Sequence, residues 1–434
     1  MGPVKRGLLV AVLVVCGVAA AQEVWEHAGA EAVNKELNKP GLIDRGRYLA
    51  IAGDCQACHT QPGGTPFAGG RAMEIPLLGT LYTSNITPDL HQGIGGWSLE
   101  EFDRALREGI GRDGEHLYPA MPYASYAVIT DDDVRALYAY FLFGVKPVHQ
   151  APPENEIRWF LKPRWPLMIW NGLFLHQKPF EPDPEQSAAW NRGAYLVQGL
   201  AHCGECHTPR GVAFQEKAYD ETDGGYLAGG PILDGWEAYN ITPDPVSGIG
   251  QWTADELRRY LKTGHVNGLA QAGGPMAEVI ENSLSKMTDA DIDAMVTYIR
   301  SVPPVGGKAK TPRHGLGVPA DGVITLRGNQ FHEDIGAGGE DKADGARLYL
   351  GLCASCHGVD GMGSRDGYYP SLVHNSTIGA LNDNNLRRAI YDGIRRTVDG
   401  HEKMMPGFGG QISTVEMKAL VKYIREQFGA DPAQ

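Results

Sequence analysis

Cys55, Cys58 and His59 form a Cys-x-x-Cys-His run, and the same pattern returns at Cys203, Cys206 and His207 and at Cys353, Cys356 and His357. Two thiols at this spacing can add across the two vinyl groups of one haem, while the histidine after the second thiol reaches the iron from one side. Cofactor and proximal ligand are then fixed by a single turn of chain. Six of the seven cysteines are used this way. A structural zinc site needs four closed ligands, which isolated copies 148 and 150 residues apart supply poorly. A redox dithiol has no use for the histidine. The pattern therefore predicts three covalently bound haem c groups, each with an iron.

A low-spin electron-transfer haem needs a ligand on its other face, and a methionine thioether raises the reduction potential relative to histidine. Met121, in Tyr-Pro-Ala-Met-Pro-Tyr, and Met405, in Met-Met-Pro-Gly-Phe, each precede a proline that stiffens the chain. Met276 is preferred for the middle site over Met287, which would be drawn into the helix that follows it. Met404 is the fallback for the third site. His116, His265 and His401 lie between motifs and methionines; they read as exposed polar residues, but any one that displaced a methionine would lower that haem's potential.

The elements that must hold these groups repeat with them. Ahead of each motif runs a helical lead: Arg45-Gly46-Arg47-Tyr48-Leu49, Arg192-Gly193-Ala194-Tyr195-Leu196 and Asp344-Gly345-Ala346-Arg347-Leu348. Each repeat closes with an amphipathic helix capped at Thr130, Thr288 or Ser413, with an acid three residues on at Asp133, Asp291 or Glu416. Counting from each cap, apolar residues at +4, +7, +8 and +11 form one face: Val134, Leu137, Tyr138 and Phe141; Ile292, Met295, Val296 and Ile299; Met417, Leu420, Val421 and Ile424. Asn85-Ile86-Thr87-Pro88-Asp89 recurs as Asn240-Ile241-Thr242-Pro243-Asp244, with Trp97 and Trp252 at the same distance beyond. Two readings stand here: a turn, or Asn and Trp donors for haem propionates.

A period of this length means tandem domains rather than a solenoid. The expected class is mostly α, with three tandem cytochrome c-type domains at 42–147, 187–304 and 337–429. A connector rich in proline and aromatics fills 148–186, and a linker fills 305–336. Residues 1–21 read as a secretory signal, with Lys5 and Arg6, an apolar run from Leu8 to Val15, and small residues at Ala19-Ala20-Ala21; cleavage there would remove Cys16. Export fits the cofactor and predicts a periplasmic location. The formal charge of −13 argues against nucleic-acid binding.

With motifs, methionines and repeats assembled, the chain resembles the tri-haem cytochrome c subunits of bacterial membrane-bound alcohol and sugar dehydrogenases. Similarity is greatest in Tyr118 to Tyr123, in Arg192 through Arg210 and in the Asn-Ile-Thr-Pro-Asp turns. Asp366 to Leu372 with His374-Asn375 looks like the branch serving flavin-dependent gluconate 2-dehydrogenase and related polyol enzymes. The resemblance implies a periplasmic-face subunit that takes electrons from a flavoprotein or quinoprotein dehydrogenase and passes them to ubiquinone or a terminal oxidase. It also implies that Gly46, Gly193 and Gly345 allow the lead helices to cross the closing helices closely. No flavin or dinucleotide fingerprint and no catalytic constellation is evident on this chain. An independent periplasmic shuttle and a haem enzyme such as a peroxidase are the alternatives. Peripheral membrane association would rest on the connector, where Arg158 to Leu175 mixes aromatic, apolar and basic residues while Pro163 and Pro166 forbid a spanning helix; a partner-facing segment and a strap packed over the first two domains are the other readings.

Overall fold

The computed structural model describes residues 35–175, 178–233, 235–320 and 344–430. The expected signal segment and the later part of the 305–336 linker lie outside them. Among the described residues helices dominate, and strands form only four small sheets.

Three lead helices run at Pro40–Ala52, Ala188–Tyr195 and Gly345–Leu352. The first starts on a proline whose missing N–H costs nothing at a helix start. Ser187 and Asp344 cap the other two through side-chain oxygens. Closing helices follow at Asp131–Ala139, Asp289–Ile299 and Thr414–Phe428. All twelve apolar residues of the expected helical faces are buried.

Each lead helix crosses its closing helix at a glycine. A Cβ on Gly46 would strike the Ala136 carbonyl, one on Gly193 that of Ala294, and one on Gly345 that of Ala419. Backbone meets backbone there, so only hydrogen fits.

Capping differs among the three closing helices. Ser413 and Glu416 form a reciprocal box, and the Thr288 side chain accepts from the Asp291 N–H. Thr130, in contrast, makes no side-chain cap bond. Where the third closing helix uses Glu416 in its cap, the other two give their acids, Asp133 and Asp291, to the lead helices. Arg45 Nε donates to Asp133 at 2.7 Å, and Arg192 holds Asp291 through Nε and Nη2, both at 2.8 Å. Each acid also takes a tyrosine from the other repeat: Tyr195 Oη donates to Asp133 and Tyr48 Oη to Asp291, both at 2.6 Å. The tyrosine oxygens then accept the backbone N–H of Thr130 and Thr288. The exchange is reciprocal, as across a two-fold axis. Position by position, the third repeat has Asp344 and Arg347 where the others have arginine and tyrosine, and takes no part in it.

The apolar interior follows the same division. One cluster runs from Leu37 through Ile129, Leu196 and Tyr298 to Val302, fusing the first two repeats, while Tyr349, Leu420 and Phe428 belong to a second cluster.

The two Asn-Ile-Thr turns are structural clamps. Asn85 Oδ1 accepts from the N–H and hydroxyl of Thr87, and its amide donates to the Val148 and Gln150 carbonyls. Asn240 does the same with Thr242 and Val305. Both amides tie down the chain that leaves a closing helix, which favours the turn reading of these asparagines over that of propionate donors.

Candidate haem-binding sites

The motifs form short helices at Cys55–Cys58, Cys203–His207 and Ala354–His357. Asp54 and His202, directly before the first two, take left-handed backbone conformations with φ of 48° and 36°, which turn the chain sharply from lead helix to motif.

The three histidines share one arrangement. His59 Nδ1 lies 2.8 Å from the Ser84 carbonyl, His207 Nδ1 2.7 Å from that of Tyr239, and His357 Nδ1 2.9 Å from that of Pro370. A carbonyl can only accept, so Nδ1 carries the proton and Nε2 keeps its lone pair. Burial holds all three imidazoles below their ordinary pKa, which favours the neutral, ligating form. A metal-bound histidine whose other nitrogen donates to a carbonyl is fixed in tautomer and ring orientation. The spacing of the motifs did not reveal these acceptors.

The thiols sit where burial disfavours the thiolate that a redox pair or a metal site would need. Burial pushes Cys55, Cys203 and Cys353 up to about 12, and Cys58 to about 11. Reactive dithiols show the opposite shift. Burial and the Glu205 and Glu216 carboxylates raise Cys206 to about 11, against the pull of Arg210. Tyr126 Oη donates to the Gly53 carbonyl, two residues before Cys55, and its ring stands edge-on to His202, so the first two motifs lie close together. None of the six is in a disulfide, and among the described residues no group of three or more Cys, His, Asp and Glu could hold a bare metal ion.

Beside the third motif the fit to haem can be tested directly. Two adjoining pockets, both partly open to solvent, are lined by His357 and Met405. Cys356 opens on one and Cys353 on the other. Leu372, Ile378, Leu386, Ile390 and Ile424 make one side apolar, whereas His265, Arg396 and Lys403 border the other, and no carboxylate lines either. Apolar walls, two thiols, two axial candidates and a cationic edge match a planar macrocycle that carries two carboxylates at one rim. The residues present fit haem.

Arg396 is 2% exposed and is secured by the second repeat: Nε donates to the Thr263 carbonyl, Nη1 to that of Ala272, and Nη2 to Gln271 Oε1. Those partners are neutral, and burial lowers its pKa. A buried guanidinium without a carboxylate is costly unless an anion arrives. Nothing in the sequence marks this residue, because its partners lie more than a hundred positions away.

The distal candidates are placed as follows. Met405 ends strand His401–Met405, paired with Ile394–Val398 in a hairpin so that Ile394 faces Met405. Pairing fixes Met405 towards the cavity and leaves Met404 62% exposed. Met121 and Met276 are half-buried against the shared core, the latter on helix Gly274–Asn282, whereas Met287 is fully buried within that core. His401 is exposed at the hairpin end. His265 is not the exposed residue expected: it is half-buried, borders the third cavity, and is pushed down to about 4 by burial and by Arg396 and Lys403.

Residues 340–424 match the family of cbb3-type cytochrome c oxidase subunit III. The chain is 42% identical over 437 residues to the fructose dehydrogenase cytochrome subunit of Gluconobacter japonicus, covering 98% of this chain and 86% of that protein. It is 40% identical over 397 residues to the gluconate 2-dehydrogenase cytochrome c subunit of Pantoea cypripedii, covering 89% and 86%. The cytochrome c subunit of the quinone alcohol dehydrogenase of Gluconacetobacter polyoxogenes is 39% identical over 393 residues, covering 89% and 81%.

Proposed function

The chain belongs to the cytochrome c subunits of bacterial dehydrogenase complexes, and from that membership we propose that it carries electrons through three covalently attached haems, from a partner dehydrogenase at the periplasmic face to ubiquinone or a terminal oxidase. Bound haem supplies a one-electron iron couple. The observation that carries the count of three is the identical carbonyl anchoring of His59, His207 and His357.

The chain's own residues divide the work. Cysteine pairs tether, histidines present Nε2, and Met121, Met276 and Met405 are assigned as distal thioethers that hold the potentials up. Proximity of the first two motifs, joined through Tyr126, supports direct passage between their sites. The second repeat walls the third site through Trp236, Gln271 and His265, which supports passage onward to it. Three tandem cytochrome c-type domains are the architecture this reading requires, and the three glycine crossings support it.

The donor is assigned as a flavoprotein oxidising a sugar, gluconate or a related polyol. Support comes from the 366–375 segment, of which Tyr368, Tyr369 and Asn375 border the third cavities, and from the fructose and gluconate relatives. The three dehydrogenase-subunit relatives do not favour an independent shuttle or a peroxidase. A pyridine haemochrome assay on the purified chain returns three haems; a smaller number overturns the count. Purification of the native complex identifies the partner, and a quinoprotein there would replace the flavoprotein assignment.

A further inference from the structure

Helix Trp165–Phe174 has no buried residue, although eight of its ten positions are apolar. It is nonetheless firmly seated. Trp170 Nε1 donates to the Ala213 carbonyl of the second repeat, Asn171 Nδ2 donates to the Glu108 carbonyl, and Tyr123 Oη donates to Asn171 Oδ1. Just before the helix, Arg164 lies over the Tyr118 ring at 4.8 Å and donates to the His116 carbonyl, while Tyr118 Oη donates to the Leu161 carbonyl. Polar atoms and the Trp170 ring, edge-on to Tyr123, thus pin the segment across the first two repeats, and most of its other large apolar side chains are left exposed.

What is left exposed is large. Trp159 is 82% exposed and Trp165 65%, with Phe160, Met168 and Ile169 each more than half exposed. Across the seam, Val212 and Phe214 flank Ala213 and are exposed too. Monomeric proteins rarely leave so many large apolar side chains of one short segment uncovered.

Local charge identifies the cover. From Arg158 to Lys178 there is no Asp or Glu, and Arg158, Lys162, Arg164 and Lys178 make the stretch basic on a chain whose net charge is −13. Tryptophans and phenylalanine beside lysine and arginine form the composition that settles at a bilayer interface, rings among the acyl boundary and cations on anionic headgroups. At about 15 Å the helix is too short to span but long enough to lie flat, and no described helix is long and apolar enough to cross a membrane.

We propose that the 158–175 platform is an interfacial docking surface for anionic phospholipid. The proposal rests on the reading of the chain as an electron carrier of a membrane-bound complex, and it names the surface that meets the membrane. Because Tyr118 and Tyr123 bracket Met121, it also sets the first haem's distal loop directly behind the lipid-facing segment.

The test is vesicle flotation of the exported holo-protein with phosphatidylglycerol–phosphatidylethanolamine liposomes against phosphatidylcholine alone. Binding to the anionic vesicles exceeds binding to the neutral ones and weakens with salt. The exposed-face variant M168E/I169E lowers vesicle partitioning about tenfold or more, and R158E/K162E removes most of the preference for anionic lipid. Haem content and visible spectrum stay those of the wild type, because none of the four side chains supports the fold. Equal flotation of wild type and M168E/I169E overturns the proposal, including the case in which the amino-terminal residues alone bind lipid. So does a variant that floats normally but no longer copurifies with its dehydrogenase, since the surface would then belong to a protein partner. Failure of reduction by the dehydrogenase in detergent, with flotation intact, would count against the electron-transfer reading and leave the platform standing.

Discussion

The Tyr48 hydroxyl donates to the Asp291 carboxylate at 2.6 Å, from the lead helix of one repeat to the closing helix of the next. Tyr195 returns the same bond to Asp133. A hydrogen bond to a buried carboxylate is worth about 2 kcal/mol, so Tyr195→Phe destabilises the first two repeats by about that much in denaturant unfolding. Tyr48→Phe costs less, since Tyr48 is only half-buried. Haem content is unchanged in both. A third-repeat transition followed separately does not move.

Asp291 also sets a pH dependence. Burial alone would raise its pKa, but hydrogen bonds from Arg192 and Tyr48 outweigh that and hold it below the ordinary 3.8. A carboxyl depressed in the folded state stabilises above its unfolded pKa and loses that contribution as pH falls through the folded value. Melting curves of wild type and Asp291→Asn should therefore differ by a constant interval at neutral pH and converge as pH drops below the ordinary carboxylate range. A gap that persists in acid would mean that the interval comes from packing rather than charge.

Gly193→Ala places a methyl on the Ala294 carbonyl and should cost about 3 kcal/mol, or prevent holo-protein from accumulating. Gly41→Ala has open space around it and serves as the control. Equal thermal stability of the two variants would contradict the close helix crossing.

The distal ligands are separable by spectroscopy. Met121→His, Met276→His and Met405→His should each keep a six-coordinate haem while lowering one of the three potentials in a redox titration. Met287→Leu should leave every potential in place. A drop in the middle potential on Met287→Leu, with none on Met276→His, would transfer the ligand role.

Much of this was legible in the sequence because it is local. Each Cys-x-x-Cys-His is complete within five residues, and the closing helices declare themselves through a cap and a period of 3.6, so Val134 through Ile424 fell where the pattern put them. The Asn85 and Asn240 turns were legible as turns, but not their use, since Val148 and Val305 lie more than sixty residues on. Asp133 and Asp291 looked like first-turn acids like Glu416. The difference lay in repeated Arg and Tyr positions that the third repeat lacks, a signal visible once the leads are aligned but without meaning until the helices are placed in space. Arg396 left no trace, because nothing about the residues beside it predicts the carbonyls of Thr263 and Ala272.

The exchange of Tyr48 and Tyr195 makes the contact between the first two repeats self-complementary, since each contributes both a donor ring and an acceptor acid. Surfaces of that kind can be satisfied equally well by the matching repeat of another molecule, with no new contact needed. What favours the partner on the same chain is the effective concentration supplied by the connector, itself fastened at Ala213, Glu108 and Tyr123. Loosening that fastening should raise the yield of swapped dimers at high protein concentration while every site keeps its haem.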